Sequence, residues 1–198
     1  MKIPLRYQTT EYDCGTTSII NAITYLFERE EIPPIIIYNI SKYTLDEFNE
    51  KGEENKGGTS TSSVRLLAHW INSFAKTRNF NIVCEILVGK EVDLFGEKVI
   101  NCMNSDGVIL ARVWHGMVEH YIIITKIADE SAYIFDPYYI DITTYDNDNE
   151  VEIIKYKKLQ HNRIVSLNRM MSKTVCDYSL VNNENKELLL INKTNNQS

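Results

Sequence analysis

Gln8-Thr9-Thr10-Glu11-Tyr12-Asp13-Cys14-Gly15-Thr16-Thr17-Ser18 runs directly into the apolar pattern Ile19-Ile20-Asn21-Ala22-Ile23-Thr24-Tyr25-Leu26-Phe27. The spacing predicts a helix over about 15–28, with a cysteine at its first turn. A thiol there faces unpaired backbone N–H groups and the positive end of the helix dipole, and both favour the reactive thiolate. This is how an activated sulfur nucleophile is built.

The chain also carries a base and a group to orient it. His120 opens the strand-like run His120-Tyr121-Ile122-Ile123-Ile124-Thr125, and Asp136 closes the next, Tyr133-Ile134-Phe135-Asp136-Pro137, where proline ends ladder pairing. The polar link Ala128-Asp129-Glu130-Ser131 predicts an antiparallel hairpin, which places the start of one strand beside the end of the other. Cys14, His120 and Asp136 then fit nucleophile, general base and orienting carboxylate. Gln8, on the approach to Cys14, is positioned to donate its amide to an oxyanion.

Along the rest of the chain, helix-compatible patterns occupy about 35–50 and 62–77, the latter with Ser62 and Ser63 as caps. Strands are predicted over 80–88, 107–115, 119–127, 131–136, 150–156 and 163–167, with one further helix near 91–104. Helices first and strands afterwards indicate an α+β fold, N-terminal helices packed on an antiparallel sheet. Residues 1–175 read as one domain. The polar stretch 43–63, with Glu50-Lys51-Gly52-Glu53-Glu54-Asn55-Lys56-Gly57-Gly58, reads as an inserted exposed loop or lid. Residues 176–198 read as a C-terminal extension, its patch Leu188-Leu189-Leu190-Ile191 forming a marginal strand with a frayed end.

These residues resemble the bacteriocin-processing cysteine peptidases that remove double-glycine leader peptides, a branch of the papain-like fold. The family's nucleophile motif is Gln, five residues, then Cys-Gly preceded by Asp, as in Gln8 with Asp13-Cys14-Gly15. Its second motif is a His opening an apolar strand with Asp-Pro sixteen residues later, as in His120 with Asp136-Pro137. The resemblance covers roughly residues 1–140. It implies a papain-like fold, hydrolysis of a peptide or protein substrate without any cofactor, with cleavage after Gly-Gly in a leader, and the same four catalytic residues. Gly15, Trp114, Tyr138 and Tyr139 are read as lining the substrate cleft. The chain departs from the family in the longer Cys14–His120 separation, in Tyr138-Tyr139-Ile140 after Asp136-Pro137, and in having no membrane-spanning exporter, so a stand-alone member is expected.

A length of 198 residues with 43% hydrophobic content suffices for one substantial core. The net charge of −6 and the lack of a basic stripe argue against nucleic acid or an anionic membrane as partner. No apolar run is long enough for an integral membrane segment, and a cytoplasmic location is expected. Richness in Asn, Ile, Lys and Tyr suggests an A+T-rich bacterial genome. Cys84, Cys102 and Cys176 are widely spaced and form no Cys-x-x-Cys pair, so neither a disulfide framework nor a metal site is expected. Cys84 and Cys102 read as core thiols, His115, five residues before His120 in the turn Trp114-His115-Gly116, as a decoy outside the site, and His69 and His161 as structural or exposed. Two other functions use the same residues: an acyl- or peptidyl-transferase of natural-product assembly, and a non-catalytic peptide-binding module.

Overall fold

The computed structural model describes residues 1–154, 160–181 and 186–194. Helices α1 (Cys14–Leu26), α2 (Pro34–Tyr43) and α3 (Thr61–Arg78) come first. Strand β1 (Ile82–Val88), helix α4 (Glu97–Asn104), and strands β2 (Val108–His115), β3 (Val118–Ala128), β4 (Ser131–Phe135), β5 (Val151–Ile153) and β6 (Arg163–Ser166) follow. Helix α5 (Leu167–Met170) and strand β7 (Glu187–Lys193) complete the described elements. The seven strands form one sheet in the order β1-β7-β2-β3-β4-β6-β5, every neighbour antiparallel. The expected α+β class, with N-terminal helices against an antiparallel sheet, is what the chain adopts.

Both faces of the sheet are covered, so residues alternate between two core layers. Leu110, Tyr121, Ile123 and Leu189 pack with α1 and α3, including Ile19, Ile23, Leu67 and Ile71. Ile109, Ala111, Val113, Ile122, Ile124 and Leu188 face the opposite layer with Leu94, Val99 and Met170. Period-2 alternation sends neighbouring apolar residues to opposite faces, which is why these strands read as continuous Val/Ile/Leu runs.

The hairpin that carries the site forms as expected. Asp129 and Glu130, with φ of 52° and 57°, make the two-residue turn between β3 and β4, whose left-handed pair matches strand twist. Ile123 pairs with Phe135, which brings Asp136 back along β3 toward His120. Helix α1 is pinned to β3 at two points: Ser18 Oγ donates to the Tyr121 carbonyl at 2.8 Å and Tyr25 OH to the Thr125 carbonyl at 3.2 Å. Cys14 lies one turn before Ser18, so this anchoring delivers the thiol to the beginning of β3.

Three readings are corrected. The C-terminal patch is no marginal appendage: β7 lies inside the sheet between β1 and β2, and Leu188 to Ile191 are buried. Its four apolar residues serve both core layers in alternation, a pattern that a short run among Asn and Lys conceals. Residues 182–185 and 195–198 of that stretch, and 155–156 of the expected strand 150–156, lie outside the described residues. The helix expected over 35–50 ends at Tyr43, where Thr44 is the cap and the chain turns into a narrow loop closed by the bridge Glu47–Gly58. The helix expected near 91–104 starts only at Glu97.

The ends of the 43–63 stretch are tied down although residues 50–57 are exposed. Thr16 and Thr44 hydroxyls share a hydrogen bond of 2.6 Å, and Thr59 Oγ1 donates to the Thr44 carbonyl. The loop is thereby anchored to the first turn of α1. No helix among the described residues is long and apolar enough to cross a membrane.

Candidate active site

The turn that leads into α1 is organised by Asp13. Its carboxylate accepts from Thr9 N at 3.1 Å, Thr10 N at 2.9 Å and Thr10 Oγ1 at 2.9 Å, while its carbonyl accepts from Thr17 N at 2.9 Å. Asp13 therefore shapes the backbone on which the next residue, Cys14, begins the helix. Gly15 has a packing reason to be glycine, since a Cβ there would overlap Oγ1 and Cβ of Thr59 on the anchored loop. Gly15→Ala is expected to lower stability by about 1–3 kcal/mol through this overlap. A urea midpoint equal to wild type would show that the loop yields without cost.

Cys14 is 8% exposed. Burial pushes its thiol pKa up, but the hydrogen bond and charge of His120 outweigh it, helped by the backbone at Tyr121 and Gly15, and the net shift is downward. The other buried thiols lack such a neighbour: burial pushes Cys84 up to about 12 and Cys102 up to about 11. Cys14 is the thiol among these three that is set to ionise.

His120 Nε2 hydrogen-bonds Asp136 Oδ1 at 2.7 Å, both side chains being buried. With Nε2 committed to the carboxylate, Nδ1 is the ring nitrogen left for Cys14. His120 thus contacts Asp136 on one side and acts on the Cys14 thiol on the other.

Asp136 sits in a cage that the sequence reading missed. Oδ1 also accepts from Tyr138 N at 2.7 Å, and Oδ2 accepts from Tyr178 OH at 3.0 Å and forms an ion pair with Arg163 Nη1. Its backbone is held by Asn162, whose Oδ1 accepts from Asp136 N at 2.9 Å while Nδ2 donates to the Asp136 carbonyl at 2.8 Å. Arg163 Nη2 donates to the Tyr138 carbonyl at 2.7 Å, and its guanidinium lies 5.6 Å from the Tyr178 ring centroid. Arg163 is 2% exposed and Tyr178 is fully buried. A carboxylate this buried requires such a partner. The available signal was Arg163 opening an otherwise β-branched strand, since a cation entering a core implies a buried anion.

Gln8 lies beside this cage, its backbone N–H donating to the Pro137 carbonyl at 2.9 Å. Its Nε2 donates to the Thr10 carbonyl at 2.8 Å, which leaves one amide hydrogen uncommitted, and its Oε1 is buried without a hydrogen-bond partner. Tyr138 packs edge-on to His120 with ring centroids 6.3 Å apart. Tyr139 does not join it: the ring is 72% exposed and packs on Tyr7 at 5.4 Å. Trp114 is on the sheet face that carries Leu110, opposite in parity to His115. His115, read as a decoy outside the site, has its ring centroid 5.5 Å from that of His120 and 5.1 Å from that of Tyr138. Burial, then the neighbouring His120, lower its pKa.

No family model and no curated protein matches the chain. Among solved structures, the fold is similar to that of a Bacillus anthracis protein described as C39-like peptidase, at 12% identity and a TM-score of 0.51, covering 98% of this chain and 96% of that one. It is also similar to the peptidase domain of Streptococcus ComA, a bi-functional ABC transporter involved in a quorum sensing pathway, at 12% identity and 0.46, covering 96% and 98%. A double glycine motif protease from an AMS/PCAT transporter, solved with the leader peptide, matches at 11% identity and 0.44, covering 98% and 93%. The likeness is one of fold: the chain shares the papain-like α+β architecture of the Bacillus anthracis C39-like structure.

Proposed function

We propose that the protein is a cysteine peptidase that cleaves a peptide bond through an acyl-enzyme on Cys14. The observation that carries this reading is the line from Asp136 through His120 to Cys14, in which His120 lowers the thiol pKa against the effect of burial. The thiolate attacks the scissile carbonyl, and the developing oxyanion takes the free hydrogen of Gln8 Nε2 together with backbone N–H groups at the start of α1. The His120 imidazolium protonates the leaving amine, and the neutral ring then removes a proton from the water that hydrolyses the thioester. Asp136, neutralised on its far side by Arg163 and Tyr178, holds the imidazole with Nδ1 toward sulfur. Gly-Gly as the residues before the cut rests on the motif resemblance in Gln8–Gly15 and His120–Pro137.

The test is mass spectrometry of synthetic peptides carrying Gly-Gly at a central position, incubated with wild type and with Cys14→Ala, with and without a competing amine. Cleavage after Gly-Gly by wild type alone is expected. Amine adducts in place of hydrolysis would assign the protein as a transferase. Binding without either product would assign it as a peptide-binding module.

A further inference from the structure

On the sheet face beneath α1 and α3, one row of side chains crosses three adjacent strands. Arg112 of β2 pairs directly with Tyr121 of β3, and Glu187 of β7 precedes Leu188, the partner of Ala111, so it falls beside Arg112. All three share the parity of Leu110, Ile123 and Leu189, which makes the row a polar step in an otherwise apolar layer. Tyr121 is 4% exposed and Glu187 is 2% exposed. Nevertheless Tyr121 OH, Arg112 Nε and Glu187 Oε1 are all buried without a hydrogen-bond partner. A buried polar atom without a partner is destabilising, so three in adjacent positions require an explanation.

The remaining atoms of the row are engaged. Arg112 Nη2 pairs with Glu119, and Arg65 Nε of α3 binds Glu187 Oε2 at 2.6 Å. Glu47, on the anchored loop, lies within the electrostatic reach of Arg112 and Glu119. Tyr121 follows His120 in the chain and lies within the electrostatic reach of Cys14. The row therefore adjoins the thiol on the sheet face opposite to Asp136.

We propose that this row is a specificity subsite that takes the side-chain carboxamide of a substrate glutamine or asparagine close to the scissile bond. The inference rests on the peptidase reading above. The orphan set decides the chemistry. Arg112 Nε can only donate, Glu187 Oε1 can only accept while ionised, and Tyr121 OH can do either. A carboxamide supplies the complement, its oxygen accepting from Arg112 and Tyr121 and its N–H donating to Glu187. A lysine or arginine would bring a third cation beside Arg112 and Arg65 and leave the Arg112 donor unmet. A carboxylate would be repelled by Glu187 and Glu119.

The experiment scans glutamine, glutamate and methionine, which are similar in size, through each position flanking the cut in a cleaved peptide. Glutamine at one position is expected to raise kcat/KM at least tenfold over both analogues, because a site built to hydrogen-bond discriminates strongly against a ligand that cannot. Tyr121→Phe is expected to reduce that ratio at least fivefold without lowering the thermal midpoint of the free protein, since its hydroxyl has no partner to lose. Equal rates for the three residues at every position, with cleavage intact, would overturn the subsite. So would a marked fall in the Tyr121→Phe midpoint, which would mean that the hydroxyl is already bonded within the fold. Calorimetric binding of the same peptides to Cys14→Ala reads the preference independently of turnover. If no peptide is cleaved but the glutamine peptide binds best, the subsite stands and the peptidase reading fails.

Discussion

Arg163→Met is expected to lower the thermal midpoint by roughly 6–20 °C, the largest stability change of any single substitution discussed for this protein. The reason is electrostatic. Asp136 is fully buried, and Arg163, itself 2% exposed, neutralises the oxygen that His120 does not use. Removing one partner of a buried ion pair strands the other charge and costs about 3–5 kcal/mol. For a chain of this size each kcal/mol shifts the midpoint by about 2–4 °C. Methionine keeps the aliphatic bulk, so the loss reports charge more than volume. In an Asp136→Asn background the same substitution is expected to cost at least about 1 kcal/mol less, because contacting residues are non-additive. Equal costs in the two backgrounds would mean that Arg163 does not support Asp136. The remaining activity of Arg163→Met is expected to fall with it, as the carboxylate that orients His120 loses one wall of its cage.

Cys14→Ala is expected to reduce peptide hydrolysis by at least about 10⁴-fold, since no other group can form the acyl-enzyme. His120→Ala should cost nearly as much, because one imidazole both maintains the thiolate and protonates the leaving amine. The double variant should be no worse than either single one, as groups that act as a unit are strongly non-additive. Rates from peptide cleavage followed by mass spectrometry measure all three. Losses that multiply in the double variant would show that sulfur and imidazole act independently and would contradict the shared mechanism.

How far the sequence alone reached depended on how local each feature is. Cys14 and Gln8 lie in one turn and helix start, and His120 and Asp136 in one hairpin, so pattern and spacing brought each pair together without long-range information. Joining the two pairs required α1 to lie along β3, and the hydrogen bonds of Ser18 and Tyr25 that align them are visible only in three dimensions. Arg163 and Tyr178 approach Asp136 from 27 and 42 residues further along the chain, where no periodicity points to them. Tyr178 also has φ of 68°, uncommon for a residue with a side chain, so its position is imposed by tertiary packing rather than local preference. Strand β7 was undervalued for a similar reason: an interior strand is defined by the neighbours on both sides, and those are β1 and β2, about a hundred residues earlier in the case of β1. Gly15 was legible as a site residue by motif, yet its demonstrated constraint is the contact with Thr59 on the loop.

The central claim is that His120 holds Cys14 as a thiolate, and the most direct measurement is the pH profile of iodoacetamide labelling. It is made by intact mass in a Cys176→Ser background, because Cys176 is half-exposed while Cys84 and Cys102 are buried with raised pKa values. The folded-state pKa of Cys14 lies below its ordinary value, so the thiolate persists as pH falls beneath that value and is lost only lower down. Single-site labelling that continues below the pH range of an ordinary thiol is therefore predicted for the protein with His120 intact. In His120→Ala burial is opposed only by the backbone at Tyr121 and Gly15, so labelling should retreat toward the range of an unassisted thiol, about pH 8.5. Identical profiles in the two proteins, both rising only above about pH 8.5, would contradict the account.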